Sequence, residues 1–253
     1  MNRTFAALTV TAGVIGFMLV APAARAQSAA WADRGYFSVG ADIRLASGGF
    51  TDVAHPIDFA EAAVVNTTYE THAAPGLDVG GGVRVWRNLG VGVNVSYVSK
   101  EVGGSVDAQV PHPLFFGRPR AVSGSATGLG RSETAVNLRA IWMMPVGVRW
   151  QVALAGGPSW FAVSQDLVQD VTLTQTYPYD TATYAGVVTE RSSKSGVGFN
   201  AGVDAMYLFT RHLGVGVSAT FSRAHVPLIS SSSSSIGSDA GGLYVAGGLR
   251  VRF

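Results

Sequence analysis

From Tyr36 onward, apolar residues recur at every second position, the period of a strand whose side chains point alternately to two faces. Eight such segments can be marked. The first, Tyr36 to Ala46, sets Phe37, Val39, Ala41, Ile43 and Leu45 against Ser38, Gly40, Asp42 and Arg44. Leu77 to Trp86, Leu89 to Val98 and Thr134 to Trp142 follow, with Val79, Val93 and Leu138 on the apolar side and Asp78, Asn94 and Arg139 on the other. The fifth places Trp150, Val152, Leu154 and Trp160 opposite Arg149 and Gln151, and the sixth sets Val197, Phe199, Val203 and Phe209 against Asn200 and Asp204. The seventh alternates Leu213, Val215, Val217 and Phe221 with Gly216, Ser218 and Thr220, and the eighth ends in Leu249, Val251 and Phe253 against Arg250 and Arg252.

The makeup of the second face chooses between two kinds of sheet protein. A soluble ligand-binding barrel fills its inside with apolar side chains and shows polar ones to water. Here the second face carries Gly, Ser, Asn, Asp and Arg, which suit a narrow interior, while the first carries little except what lipid tolerates. The pattern therefore predicts an all-β fold: a closed antiparallel up-and-down transmembrane β-barrel of about eight strands, apolar face outward. Trp150 and Trp160 lie ten residues apart on one face, a rise of about 25 Å at ordinary strand geometry and tilt, the height of a lipid-facing band.

Connections alternate in length. Tight turns are expected at Arg87-Asn88, around Met144-Pro145-Val146 and at Thr210-Arg211-His212, and long outer loops at Ser47 to Gly76, Gly103 to Arg131, Ser164 to Ser195 and Pro227 to Ala240. Val168 to Thr176 and Tyr184 to Thr189 alternate again, as extensions of the fifth and sixth strands or as a further pair that would make ten. Ser230 to Ser235 has no side chain able to build a core and reads as a mobile loop tip. Leu89-Gly90-Val91-Gly92-Val93 recurs as Leu213-Gly214-Val215-Gly216-Val217, without a third copy, which is shared architecture and not a solenoid.

Composition adds a compartment. Arg3, an apolar stretch from Phe5 to Val20 and the Ala24-Arg25-Ala26 site predict a cleaved signal peptide over 1–26, leaving 27–253 as one domain. Its removal takes the formal charge from +2 to zero, which leaves no electrostatic footprint for nucleic acid. There are no cysteines, so an exported chain must be held without disulfides.

The closing run Leu243-Tyr244-Val245-Ala246-Gly247-Gly248-Leu249-Arg250-Val251-Arg252-Phe253 resembles the last strand of the small outer-membrane barrels of the OmpA, OmpX and OmpW type. The resemblance implies a bacterial outer-membrane location with both mature termini periplasmic, and makes Val245, Leu249, Val251 and Phe253 a signal read by the barrel-assembly machinery. Its implied partners are the export and assembly machinery, outer-membrane lipid and lipopolysaccharide, with a monomer expected.

Chemistry is sparse. The five histidines stand in no Ser or Asp arrangement for catalysis, and Ser222 and His225 fall on opposite faces of a strand, so no enzyme, cofactor or metal is expected. Asp42, Arg44, Asp78, Arg84, Arg139, Arg149, Asp204, Arg250 and Arg252 all fall on the inward face, either lining a conduit or, the favoured reading, pairing with one another to plug the interior. The least generic stretch is Val110 to Arg120. There Phe115 and Phe116 present apolar surface or pin the loop down, and Arg118 and Arg120 have the chemistry to meet lipopolysaccharide phosphates. The sequence thus points to a non-enzymatic outer-membrane protein acting through its outer loops or in envelope integrity, with a narrow channel for ions or small apolar solutes as the alternative.

Overall fold

The computed structural model describes residues 33–45, 48–229 and 235–253. The expected signal peptide and Ser230 to Ser234 lie outside them. Twelve strands occur in the described residues: β1 (Gly35–Arg44), β2 (Gly48–Ala54), β3 (Ile57–Asp58), β4 (Glu61–Ala62), β5 (Val64–Thr71), β6 (Ala74–Trp86), β7 (Leu89–Val110), β8 (Arg120–Val146), β9 (Trp150–Gln175), β10 (Ala182–Leu208), β11 (Leu213–Ile229) and β12 (Ser235–Arg252).

The expected closed up-and-down barrel is corrected by the sheet order. One antiparallel sheet of ten strands runs β2-β5-β7-β6-β1-β12-β11-β10-β9-β8, and it is branched. β7 has three neighbours: β6 along its first half, β5 along its second, and β8 along both. That β7–β8 pairing links β8, at one end of the order, back into its middle, while β2 ends the sheet at the other. The reason is local. β6 begins only at Ala74, so the far half of β7 would keep a row of bare backbone groups, and unpaired backbone is costly. The β-branched and aromatic run Val64-Val65-Asn66-Thr67-Thr68-Tyr69 has strand propensity and takes β6's place there, from Val64↔Gln109 to Glu70↔Gly103.

Much of what was expected as loop is thus strand. The first long loop holds β2 to β5, and the second and third shrink to 111–119 and 176–181. Val168 to Thr176 and Tyr184 to Thr189 mostly lengthen β9 and β10 instead of forming another pair. One expected turn moves: β8 continues through Pro145 and Val146, and the chain reverses at Gly147-Val148-Arg149, where Gly147 takes a positive φ.

Along the long strands the two faces exchange character part-way. On β7 the outward residues are Leu89, Val91, Val93, Val95 and Tyr97, and the inward ones include Asn94 and Ser96. Beyond Tyr97 the outward residues are Ser99, Glu101, Ser105, Asp107 and Gln109, and Val98, Val102, Val106, Ala108 and Val110 are buried. β9 makes the same exchange at Trp160, with Phe161, Val163 and Leu167 buried above it, and β11 at Phe221, with Arg223 and His225 exposed and Ala224 and Val226 buried. The second half has an apolar core in which Ala54, Val65 and Tyr69 of β2 and β5 pack with β7, β8 and β9. The Tyr69 hydroxyl spans this core and accepts a hydrogen bond from the Val168 N–H at 2.7 Å.

Candidate functional site

In the half of the sheet next to the short turns the inward side chains interlock. Asn94 donates to Asp78 at 2.6 Å, Asn137 and Arg139 both donate to the Asn94 amide oxygen, and Arg139 also donates to Thr220. Ser159 donates to Asn137, and Asn200 donates to Ser159. Arg250 pairs with Asp204 at 2.7 Å, and Arg252 pairs with Asp33. These contacts follow from register: Asn94 faces Asn137 across β7–β8, and Asn137 faces Ser159 across β8–β9.

A second cluster sits where the interior changes character. The Glu133 carboxylate accepts from Arg44 at 3.1 Å, from the Gly241 N–H at 3.0 Å and from the Tyr244 hydroxyl, and lies 3.6 Å from Arg131, which donates to Gln165. All of Arg44, Arg131, Glu133 and Gln165 are buried. Two cavities among the polar side chains hold about 10 Å³ each, room for about one water apiece. One is lined by Asp78, Ser96, Arg139 and Tyr244, the other by Tyr36, Ser38, Asp204 and Arg250.

Of the nine charges expected to face inward, Asp42, Arg44, Asp78, Arg250 and Arg252 are buried, while Arg139 and Asp204 are partly buried and joined to the same interior. Asp42 is 2% exposed, and its carboxylate meets no other side chain's donor among the described residues. Arg84 is half-buried near the end of β6. Arg149 departs from the expectation: it lies exposed in the turn before β9, its guanidinium donating to the Tyr207 hydroxyl at 3.3 Å. Glu133, Arg131 and Tyr244 were not among the expected residues. Glu133 and Arg131 share the parity of Asn137 and Arg139, so the signal is present, but the fourth segment as read from the sequence starts at Thr134, one residue after Glu133 and three after Arg131.

Val245, Leu249, Val251 and Phe253 all point outward, and the Phe253 carbonyl accepts from the N–H groups of Arg34 and Gly35. Among the described residues no group of three or more His, Cys, Asp or Glu side chains could hold a metal ion. Ser222 is buried and His225 exposed, so the two are not brought together.

The outer loop residues divide. Phe115 and Phe116 are exposed, and the Arg118 guanidinium lies 5.4 Å from the centre of the Phe115 ring. Arg120 is buried and both its terminal nitrogens are engaged, donating to Gln175, the Tyr179 carbonyl and the Pro111 carbonyl at 2.7 to 2.9 Å. It fastens the loop to the β9–β10 turn and is not presented to an outside phosphate, against the expectation. Buried His112 accepts from the Leu114 N–H, and the Gly117 N–H donates to Glu61 at 2.8 Å, which ties the loop to the β3–β4 hairpin. In that hairpin Phe59 and Ala60 have φ of 50° and 67°, the two positive values of a tight turn that Asn-Gly would occupy without strain. A bulky residue held there costs on the order of 1–3 kcal/mol.

Outside the apolar band, Asp166 and Arg191 pair at 2.8 Å, and the hydrogen bond from Arg191 holds the Asp166 carboxyl below the usual carboxylate range. Burial pushes the Tyr69 hydroxyl well above the ordinary phenol range.

Neither a family model nor a curated protein sequence matches this chain. It is similar to the solved structure of the outer membrane protein OprG from Pseudomonas aeruginosa, at 10% identity over 88% of this chain and 96% of that one, TM-score 0.45. It is similar also to Neisserial surface protein A, at 13% identity over 86% and 97%, TM-score 0.39. The outer membrane protease OmpT from Escherichia coli matches at 11% identity over 89% and 98%, TM-score 0.41. Likenesses of this size have no bearing on what the chain does, and they do not resolve the finer OmpA, OmpX and OmpW type.

Proposed function

We propose that this chain is a non-enzymatic protein of the bacterial outer membrane whose polar interior is a structural plug and whose role is carried by its outer surface. The observation behind this reading is the exchange of faces at Tyr97, Trp160 and Phe221. Below that level Val93, Leu154 and Val217 are 45%, 49% and 60% exposed, over a band that lipid would cover. Above it the outward residues of β7 are Ser99, Glu101, Ser105, Asp107 and Gln109, polar groups over an apolar core, as water requires. The short turns and Phe253 then belong on the periplasmic side, with lipid and lipopolysaccharide around the band. Export after cleavage at Ala26, and recognition of Val245, Leu249, Val251 and Phe253 by the assembly machinery, are parts of the same proposal.

The channel alternative meets two obstacles. Amide, hydroxyl and guanidinium groups span the interior through direct hydrogen bonds, and the apolar core around Tyr69 and Val168 lies beyond them. Planar-bilayer recording of the refolded protein tests this. The expected outcome is no discrete openings, and reproducible unitary steps would overturn the plug in favour of conduction.

A further inference from the structure

The two ends of the molecule differ in charge. Among the described residues the exposed acidic side chains are Glu70, Glu101, Asp107, Asp180, Glu190 and Asp239, and all of them lie on the long-loop side of the Tyr97 level. The short-turn end has no exposed acidic side chain and four exposed arginines, Arg34 before β1 and then Arg87, Arg149 and Arg211, one in each tight turn. The anions of this end are engaged elsewhere: Asp33 pairs with Arg252, Asp204 with Arg250, and the Phe253 terminus accepts from the Arg34 and Gly35 N–H groups. A positive excess remains after the terminal carboxylate is counted.

Two of these guanidiniums are held against the rings that end the apolar band. Arg87 lies 5.2 Å from the centre of the Trp86 ring, and Arg149 donates to the Tyr207 hydroxyl at 3.3 Å. Tyr207 in turn packs against Trp150 and Phe209, with ring centres 5.0 and 5.6 Å apart. The Leu208 N–H donates to the Arg149 carbonyl at 2.9 Å, which fastens that turn to the end of β10. Trp86, Trp142, Trp150 and Phe209 are all more than half exposed, and Val148, beside Arg149, is 96% exposed. Exposed rings next to guanidiniums suit the level where acyl chains give way to headgroups, and the guanidinium fork matches phosphate oxygens. Arg87 also holds φ of 48°, a turn position that Gly or Asn fills at less cost, and its exposure means that burial does not offset the strain. Arginines drawn back against rings that lipid would cover favour a ligand at the level of those rings over one docking beyond the turns.

We propose that the arginines of the short-turn end bind the phosphates of anionic phospholipids in the adjoining leaflet, Arg149 and Arg211 at the face of Trp150, Tyr207 and Phe209, and Arg87 at the face of Trp86. The inference rests on the outer-membrane reading above and deepens it by naming the lipid class. The exported protein is first reconstituted with phosphatidylcholine vesicles, and failure to float with them would overturn the outer-membrane reading and this inference together. The remaining steps can fail alone. Protein in mild detergent is titrated with phosphatidylglycerol or phosphatidylcholine, and each bound lipid is counted by native mass spectrometry. Wild type is expected to bind phosphatidylglycerol at least tenfold more tightly, and Arg87→Gln, Arg149→Gln and Arg211→Gln to reduce that preference by about fivefold each. Arg118→Gln, at the other end, should leave it unchanged. Arg211→Gln removes no hydrogen bond among the described residues, so it keeps the test open if Arg149→Gln loosens its turn. Equal affinity for the two lipids, or a preference that survives the triple variant, would overturn the inference. So would lipid indifference combined with binding of soluble polyglutamate that the triple variant loses, which would assign the arginines to an acidic periplasmic partner.

Discussion

Replacing Val93 by Arg asks directly which solvent meets the outward face. Val93 lies at the middle of the outward run Leu89 to Tyr97, paired with Gly81 and Leu138, and has nearly half its surface exposed. On a water-facing strand such a substitution shifts stability by about 0.5 kcal/mol at most. At the middle of a lipid-facing strand it costs about 2–4 kcal/mol, falling to about 0–1 kcal/mol near the interface. The expected series is therefore a loss of about 2–4 kcal/mol for Val93→Arg, about 0–1 kcal/mol for Leu89→Arg at the end of the run, and close to nothing for Ser105→Arg, outward on the same strand but beyond Tyr97. Denaturant unfolding of vesicle-inserted protein, followed by tryptophan fluorescence with equal m-values, measures all three. Three similar small losses would refute the assignment of lipid to this face.

Two further expectations follow from the side-chain geometry. Glu133→Ala leaves the guanidiniums of Arg44 and Arg131 buried without their carboxylate, and should destabilise by about 3–5 kcal/mol in the same unfolding assay. The Asp166–Arg191 pair acts through pH: the folded carboxyl titrates below its unfolded value, so the pair's stabilisation is present above about pH 4 and lost as pH falls through the lowered value. Arg191→Gln should accordingly show a shallower loss of stability on the acid side than wild type, read from unfolding midpoints across that range.

The half of each long strand next to the short turns was legible in the sequence because the parity of Val91, Val93 and Val95 against Asn94 and Ser96 needs only a period of two. The other half was not, because the same period continues with the solvents exchanged. Ser105 and Asp107 outside Val106 and Ala108 look like irregular loop to an eye set on apolar-out alternation. The annex of β2 and β5 was invisible for another reason. Its place is set by the bare edge of β7 beyond Val98, a long-range condition that Val64 to Thr71 does not reveal locally. Arg120 was misread because a basic residue beside two phenylalanines looks presented, and only the fold brings Gln175 and the Tyr179 carbonyl against it.

The exchange of solvents along β7 is the claim on which the rest depends, and single spin labels measure it. The chain has no cysteine, so labels at positions 91, 93, 95, 99, 101, 105 and 107 can be introduced one at a time. In lipid vesicles the first three should collide with oxygen and be shielded from an aqueous nickel chelate, and the last four should show the reverse. Nickel reaching all seven alike would contradict the account.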